Sequence, residues 1–129
     1  MPHTFPVHVY YEDTDLAGIV YYANYFKFIE RARTEWVRAT GVDQVALKAN
    51  EGIVFAVRRV EADYLMPAKF DEDLIVETVV DSMTGVRIVL NQVVRRGQEL
   101  LFTSQVTLVA LNETGQPARL PATIRRNLH

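Results

Sequence analysis

Between Tyr22 and Val37 the sequence carries a helix whose apolar face is too broad to be left in water. Tyr22, Tyr25, Phe26, Ile29, Ala32, Trp36 and Val37 recur at helical spacing, and Phe28 widens that face. Lys27, Glu30, Arg31, Thr34, Glu35 and Arg38 fall on the other side. The apolar face covers about half the circumference, more than a coiled-coil stripe needs. Such a helix has to lie deep against a curved sheet. Phe26, Phe28, Ile29 and Trp36 read as its core contacts. Asn24 is the expected N-cap, Arg31 and Glu35 the expected i,i+4 pair, and Gly41 the expected stop.

The rest of the chain supplies strands. Residues 5–12 alternate, with Val7, Val9 and Tyr11 against His8 and Tyr10, which is the period of a strand. His8 reads as a surface residue, or one facing a neighbouring strand, rather than a ligand. Residues 43–50 suggest one or two helical turns. Ile53, Phe55 and Val57 then alternate in one phase and Val60, Ala62, Tyr64 and Met66 in the other. The slip at Arg58-Arg59 is what a β-bulge produces, and Pro67 ends the run. Further strands are expected over residues 74–81, 86–96 and 99–111, the last with Leu100, Phe102, Val106, Leu108 and Ala110 on one face. Gly97-Gln98 makes a tight hairpin. Residues 112–117 read as a loop, and Pro121 opens a short helix over 122–128. Short connections imply antiparallel neighbours. The expectation is an α+β chain of order β-α-β-β-β-β, a five-stranded antiparallel sheet wrapped around one long helix.

Bulk properties narrow the function classes. The 129 residues fit one domain, 1–129, and 49% are hydrophobic, which excludes disorder as a description of the whole. A domain of this size buries only about two-thirds of its unfolded surface and gains from oligomerising. The net charge of −2 argues against a nucleic-acid partner, which calls for a basic face. With no cysteine, disulfides, thiolate catalysis and Cys-zinc sites are excluded. No basic-then-apolar leader and no long apolar run is seen, so a soluble, cytoplasmic protein without a transmembrane segment is expected. The histidines are His3, His8 and His129, and the serines Ser82 and Ser104 lie outside any Gly-x-Ser-x-Gly elbow. An enzyme built from this chain has to work with carboxylates, tyrosines and backbone dipoles.

Those groups concentrate in residues 11–26, Tyr-Glu-Asp-Thr-Asp-Leu-Ala-Gly-Ile-Val-Tyr-Tyr-Ala-Asn-Tyr-Phe. Asp13, Asp15 and Gly18 match the first, third and sixth positions of a calcium loop, but Ala17 and Asn24 occupy positions that need ligands. A plain strand-to-helix turn accounts for Asp13, Thr14 and Gly18. It leaves the density of tyrosines unexplained. A catalytic site is the third reading. A helix N-terminus presents unpaired N–H groups to a developing oxyanion, and one such donor is worth about a hundred- to a thousand-fold in rate. A carboxylate just upstream can attack the same carbonyl or activate water for it. A carboxylate is a modest base, so a thioester suits this arrangement better than an amide.

At these residues the chain resembles the hotdog-fold acyl-CoA thioesterases, in the branch of 4-hydroxybenzoyl-CoA thioesterase and the Tol-Pal-associated YbgC thioesterases. The 11–26 run carries the resemblance, and Glu30-Arg31-Ala32-Arg33, Val57-Arg58-Arg59, Tyr64-x-x-Pro67-Ala68 and Asp71-x-Asp73 extend it over nearly the whole chain. The resemblance implies thioester hydrolysis of an acyl-CoA. The family's catalytic Asp falls on Asp15, as nucleophile or general base. The Tyr that opens the site falls on Tyr11. The position seven after the Asp is Tyr22, where many YbgC-type members carry His, so a histidine-assisted variant is not available. The N–H of Tyr22 at the helix start becomes the oxyanion donor, and Gly18 allows the thioester to approach. Arg58, Arg59, Lys69, Arg87, Arg95 and Arg96 are candidates for the CoA phosphates. The resemblance also implies homodimers or homotetramers, with sheets joined edge to edge, helices side by side and the sites at the subunit interface. An acyl carrier protein is a further candidate partner. No cofactor and no metal are expected. The alternative is a non-catalytic module that binds acyl-CoA or acyl carrier protein. A dehydratase on the same fold is disfavoured for want of a histidine near the motif.

Overall fold

Five strands of one antiparallel sheet close around a single long helix. The computed structural model describes residues 2–127. The strands are β1 (His3–His8), β2 (Val54–Tyr64), β3 (Asp73–Met83), β4 (Arg87–Arg96) and β5 (Glu99–Leu111), in the sheet order β1-β3-β4-β5-β2. A two-residue strand, β6 (Pro117–Ala118), pairs with Ala110 and Leu111 of β5. The sequence had marked it only as loop. The helices are α1 (Asn24–Ala39), α2 (Gln44–Glu51) and α3 (Ala122–Asn127). Leu128, the expected end of the last helix, lies outside the described residues.

The core forms where the period-2 face of the sheet meets the apolar face of α1. Leu74 and Val76 of β3, Ile88, Leu90 and Val94 of β4, and Phe102, Val106 and Leu108 of β5 are buried. Opposite them lie Tyr25, Phe28, Ile29, Ala32 and Trp36 of α1. Burying one such side chain contributes about 1.5–3 kcal/mol. Polar groups share this interior, among them Thr78, Gln92 and Ser104. Gln92 donates to the Ile29 carbonyl and to Thr78 Oγ1, both at 3.0 Å, and accepts Arg33 Nη1 at 2.9 Å. Burial lowers the pKa of the Arg33 guanidinium from its usual value.

Several local expectations are corrected. β1 ends at His8, and Tyr11–Asp13 form one 3-10 turn, because the Asp13 carboxylate takes the Tyr10 N–H at 2.9 Å. A side chain that bonds its own backbone competes with the ladder. The N-cap of α1 is Ala23, and Asn24 instead donates from Nδ2 to the Asp13 carbonyl at 3.0 Å. Glu35 pairs with Arg38 at 2.8 Å rather than with Arg31. Phe26 is 36% exposed, at the rim of the core. The register of β2 shifts between Val57 and Arg59, as the phase slip indicates, but further shifts at Val80/Ser82 in β3 and at Val94/Arg95, where β4 meets β5, have no counterpart in the sequence reading. At the last of these the extra residue is in β5. There Phe102 faces Val94 while Leu100 faces Arg95. Leu101 is the extra residue and is buried, and Leu100 is turned out to solvent.

Candidate active site

The turn that carries Asp15 is a small hairpin of its own. Thr14 and Val20 form an antiparallel bridge, and the Asp15 N–H donates to the Ile19 carbonyl at 3.0 Å. The Gly18 N–H closes the turn on the Asp15 carbonyl at 2.9 Å. Gly18 has φ of 79°, a left-handed conformation that costs any L side chain. Asp15 Oδ1 accepts the Ala17 N–H at 2.9 Å. This local bond holds the carboxylate over its turn, and Oδ2 has no hydrogen bond among the described residues. Asp15, Leu16, Ala17 and Gly18 are all exposed.

The neighbours of the turn are fixed from below. Asp13 is buried, and its carbonyl takes the Tyr21 N–H at 2.9 Å. Val20 N–H donates to the Ala68 carbonyl at 2.8 Å, and Ala68 N–H donates to the Tyr25 hydroxyl at 3.1 Å. The Tyr25 ring stacks on Phe102 at 5.0 Å, and burial raises the pKa of its hydroxyl. Asp13 is therefore scaffold, whereas Asp15 is presented to solvent by it.

An open cleft of about 550 Å³ lies beside the turn, lined by Tyr11, Thr14, Asp15, Leu16, Gly18 and Phe70. It brings together three of the four residues singled out in the sequence, Tyr11, Asp15 and Gly18. The edge of Phe70 packs on Tyr11 with ring centroids 6.1 Å apart. Phe70 sits in the loop before β3, which Arg96 braces through Glu72 at 2.8 Å. A larger opening of about 740 Å³ lies between α2 and the start of β2, lined by groups such as Val45, Leu47 and Ile53, but no carboxylate reaches it. The chemistry, not the volume, selects the cleft at Asp15.

Tyr22 does not line this cleft. Its ring lies 4.9 Å from that of Tyr21 and 6.2 Å from that of Tyr64. The Tyr21 phenol has its pKa raised, first by Tyr22 and least by the Asp15 charge. The N–H groups of Tyr22 and Ala23, just ahead of α1, make no hydrogen bond to any described residue. The Tyr22 carbonyl accepts the Tyr64 hydroxyl at 2.9 Å.

The basic residues divide into two groups. Arg95 Nε meets Glu77 at 2.5 Å, and Arg96 is held by Glu99 and Glu72, whose hydrogen bonds raise its pKa. Arg59 pairs with Glu61, two residues further along β2. Arg58, beside it, is exposed and has no carboxylate partner among the described residues. The sequence reading missed Phe70, Leu16 and Tyr64 as parts of this region. Leu16 had a signal, an apolar side chain inside an Asp-x-x-Gly turn, but Phe70 and Tyr64 arrive by tertiary contact.

An antiparallel sheet wrapped on one helix, with a lone exposed carboxylate in the turn before that helix, is the hotdog fold of a thioesterase. A family model described as the thioesterase-like superfamily matches residues 9–128, and the chain belongs to that family. The acyl-CoA thioesterase YbgC of Haemophilus influenzae is 38% identical over 128 residues, spanning 98% of this chain and 93% of that protein. The acyl-CoA thioester hydrolase YbgC of Escherichia coli is 41% identical over 121 residues, spanning 92% and 90%. Among solved structures, a probable thioesterase from Bartonella henselae matches with a TM-score of 0.89 at 35% identity, over 94% of this chain and all of that one.

Proposed function

We propose that this chain hydrolyses the thioester of an acyl-CoA to the free acid and CoA, with Asp15 as nucleophile or general base. The observation that carries the reading is the position of Asp15, exposed over a glycine turn just ahead in the chain of the unpaired N–H groups at Tyr22 and Ala23. The thioester carbonyl oxygen accepts from the N–H of Tyr22, and Gly18 leaves the approach free of a side chain. As general base, Asp15 takes a proton from water while the water oxygen adds to the carbonyl carbon; the C–S bond then breaks and the thiolate leaves. As nucleophile, Asp15 adds itself, expels the thiolate, and water resolves the mixed anhydride. Tyr11 lines the same cleft and flanks the acyl group. Of Arg58, Arg59, Arg95 and Arg96, Arg58 meets the CoA phosphates, because the other three are each paired with a carboxylate.

The proposed working form is a homo-oligomer. β2 pairs on one side with β5, and its other edge is open among the described residues, with Val54, Val57 and Val60 exposed along it. A long apolar edge of this kind calls for a partner, and a second copy supplies one. An acyl carrier protein is the alternative carrier of the thioester.

The test is steady-state hydrolysis of a panel of acyl-CoAs by the wild type and by Asp15→Asn. Loss of at least about a hundredfold in kcat is expected for the variant. Equal activity in the two proteins rejects Asp15, and saturable acyl-CoA binding without turnover in the wild type favours a binding module. Trapping of an acyl-enzyme at Asp15 separates the nucleophilic from the general-base course.

A further inference from the structure

Tyr22 stands one residue ahead of Ala23, the N-cap of α1, so its carbonyl lies outside the helical hydrogen-bond ladder, which the N-cap carbonyl opens. Phe26 N–H bonds the Ala23 carbonyl at 3.2 Å, and Asn24 N–H likewise bonds three residues back, to Tyr21 at 2.8 Å. The Tyr22 carbonyl is taken at 2.9 Å by the hydroxyl of Tyr64, a residue 42 positions away at the end of β2. The turn leading into α1 is therefore closed by bonds between residues three apart, and a side chain from the sheet anchors the one carbonyl there that the helix does not use.

The Tyr64 ring is held for this task. It packs edge-on against Tyr25 at 5.5 Å, Phe102 at 5.1 Å and Tyr22 at 6.2 Å. The Tyr22 carbonyl and the Ala23 N–H belong to one planar peptide unit. Fixing the oxygen fixes the direction of that N–H, and it constrains the adjoining unit that carries the Tyr22 N–H. Both N–H groups are without an acceptor among the described residues. From this geometry we infer that Tyr64 is a positioning residue, whose hydroxyl aims the oxyanion donors at Tyr22 and Ala23. The inference rests on the thioester reading of the site.

Tyr64→Phe keeps the ring and removes the hydroxyl. The expected result is a fall of about tenfold in kcat, smaller than the hundred- to thousand-fold loss of a whole donor. KM, and the affinity for a non-hydrolysable acyl-CoA thioether, stay at wild-type values. Tyr64→Leu, which also removes the ring, is the packing control. Wild-type kcat in Tyr64→Phe with impairment only in Tyr64→Leu overturns the inference, because packing then suffices. Weaker thioether binding with unchanged kcat overturns it as well, since Tyr64 is then a binding contact. Backbone amide chemical shifts in labelled Tyr64→Phe give a readout independent of turnover. Shifts at Tyr22 and Ala23 are expected to move as the peptide unit between them loses its anchor, and unmoved shifts overturn the inference. Asp15→Asn, assayed in parallel, reports on the thioester reading: full activity there rejects that reading, whatever the amides of Tyr64→Phe do.

Discussion

His8 Nδ1 lies 2.8 Å from Asp73 Oδ1, directly across the β1–β3 register, and the other ring nitrogen lies 3.0 Å from Asp71 Oδ1. A neutral imidazole donates from one nitrogen only. Two carboxylates facing both nitrogens therefore favour the imidazolium. The pKa of His8 is raised, chiefly by the hydrogen bond to Asp73, with Asp71 adding to it and partial burial opposing. A folded-state pKa above the unfolded value means a stabilising contribution that is complete below about pH 6.5 and is lost as pH rises through the folded value. Thermal melts across this range are expected to show that loss, and His8→Gln to flatten it. An NMR titration of the ring gives the shift directly; a value at or below that of a free histidine rejects the account.

The contact between half-buried Arg33 and buried Gln92 makes a second prediction. Arg33→Met leaves the Gln92 side-chain carbonyl unpaired in the core, which costs about 1–3 kcal/mol. Replacing both residues with Met removes donor and acceptor together, and the cost is expected to fall below the sum of the two single changes. Urea denaturation of the four proteins measures the coupling. Strict additivity would mean that the 2.9 Å contact contributes nothing.

Gly18 is open to a backbone test. An added Cβ meets nothing within 4 Å, so no clash complicates the result. Only the φ of 79° is at issue. Gly18→Ala is expected to destabilise by about 1–2 kcal/mol, and Gly18→Asn by less, because Asn tolerates the left-handed region. Equal cost for both substitutions points to some other role for the glycine.

The open edge of β2 predicts association. Val60→Lys places a charge on the exposed apolar row, and sedimentation equilibrium is expected to give a smaller assembly than the wild type. An unchanged mass places the interface elsewhere.

The helix and the strands were legible because the apolar period was long and unbroken. Phe28, Ile29 and Trp36 lie where that period puts them. The exceptions occur where a contact from another element outweighs the local pattern. The bulge in β5 reverses Leu100 and Leu101, and nothing in a continuous run of β-formers marks which residue is extra. Asn24 has the chemistry of a cap, yet its amide is drawn to the Asp13 carbonyl eleven residues back. Asp15 and Gly18 stood out because turn chemistry is local. Phe70 and Tyr64 did not, since both reach the site region through the folding of the sheet.

Tyr11, Leu16 and Phe70 surround Asp15 with apolar surface that carries little of the fold. Leu16 is fully exposed, and the other two are more than half exposed. The segments beneath them are fastened instead by Asp13, Tyr25 and Ala68. Inheritance can therefore act on the two layers separately. On the proposed thioester reading, changes to the collar retune which acyl groups are accepted at little cost to folding, while the carboxylate and its underpinning pass on intact.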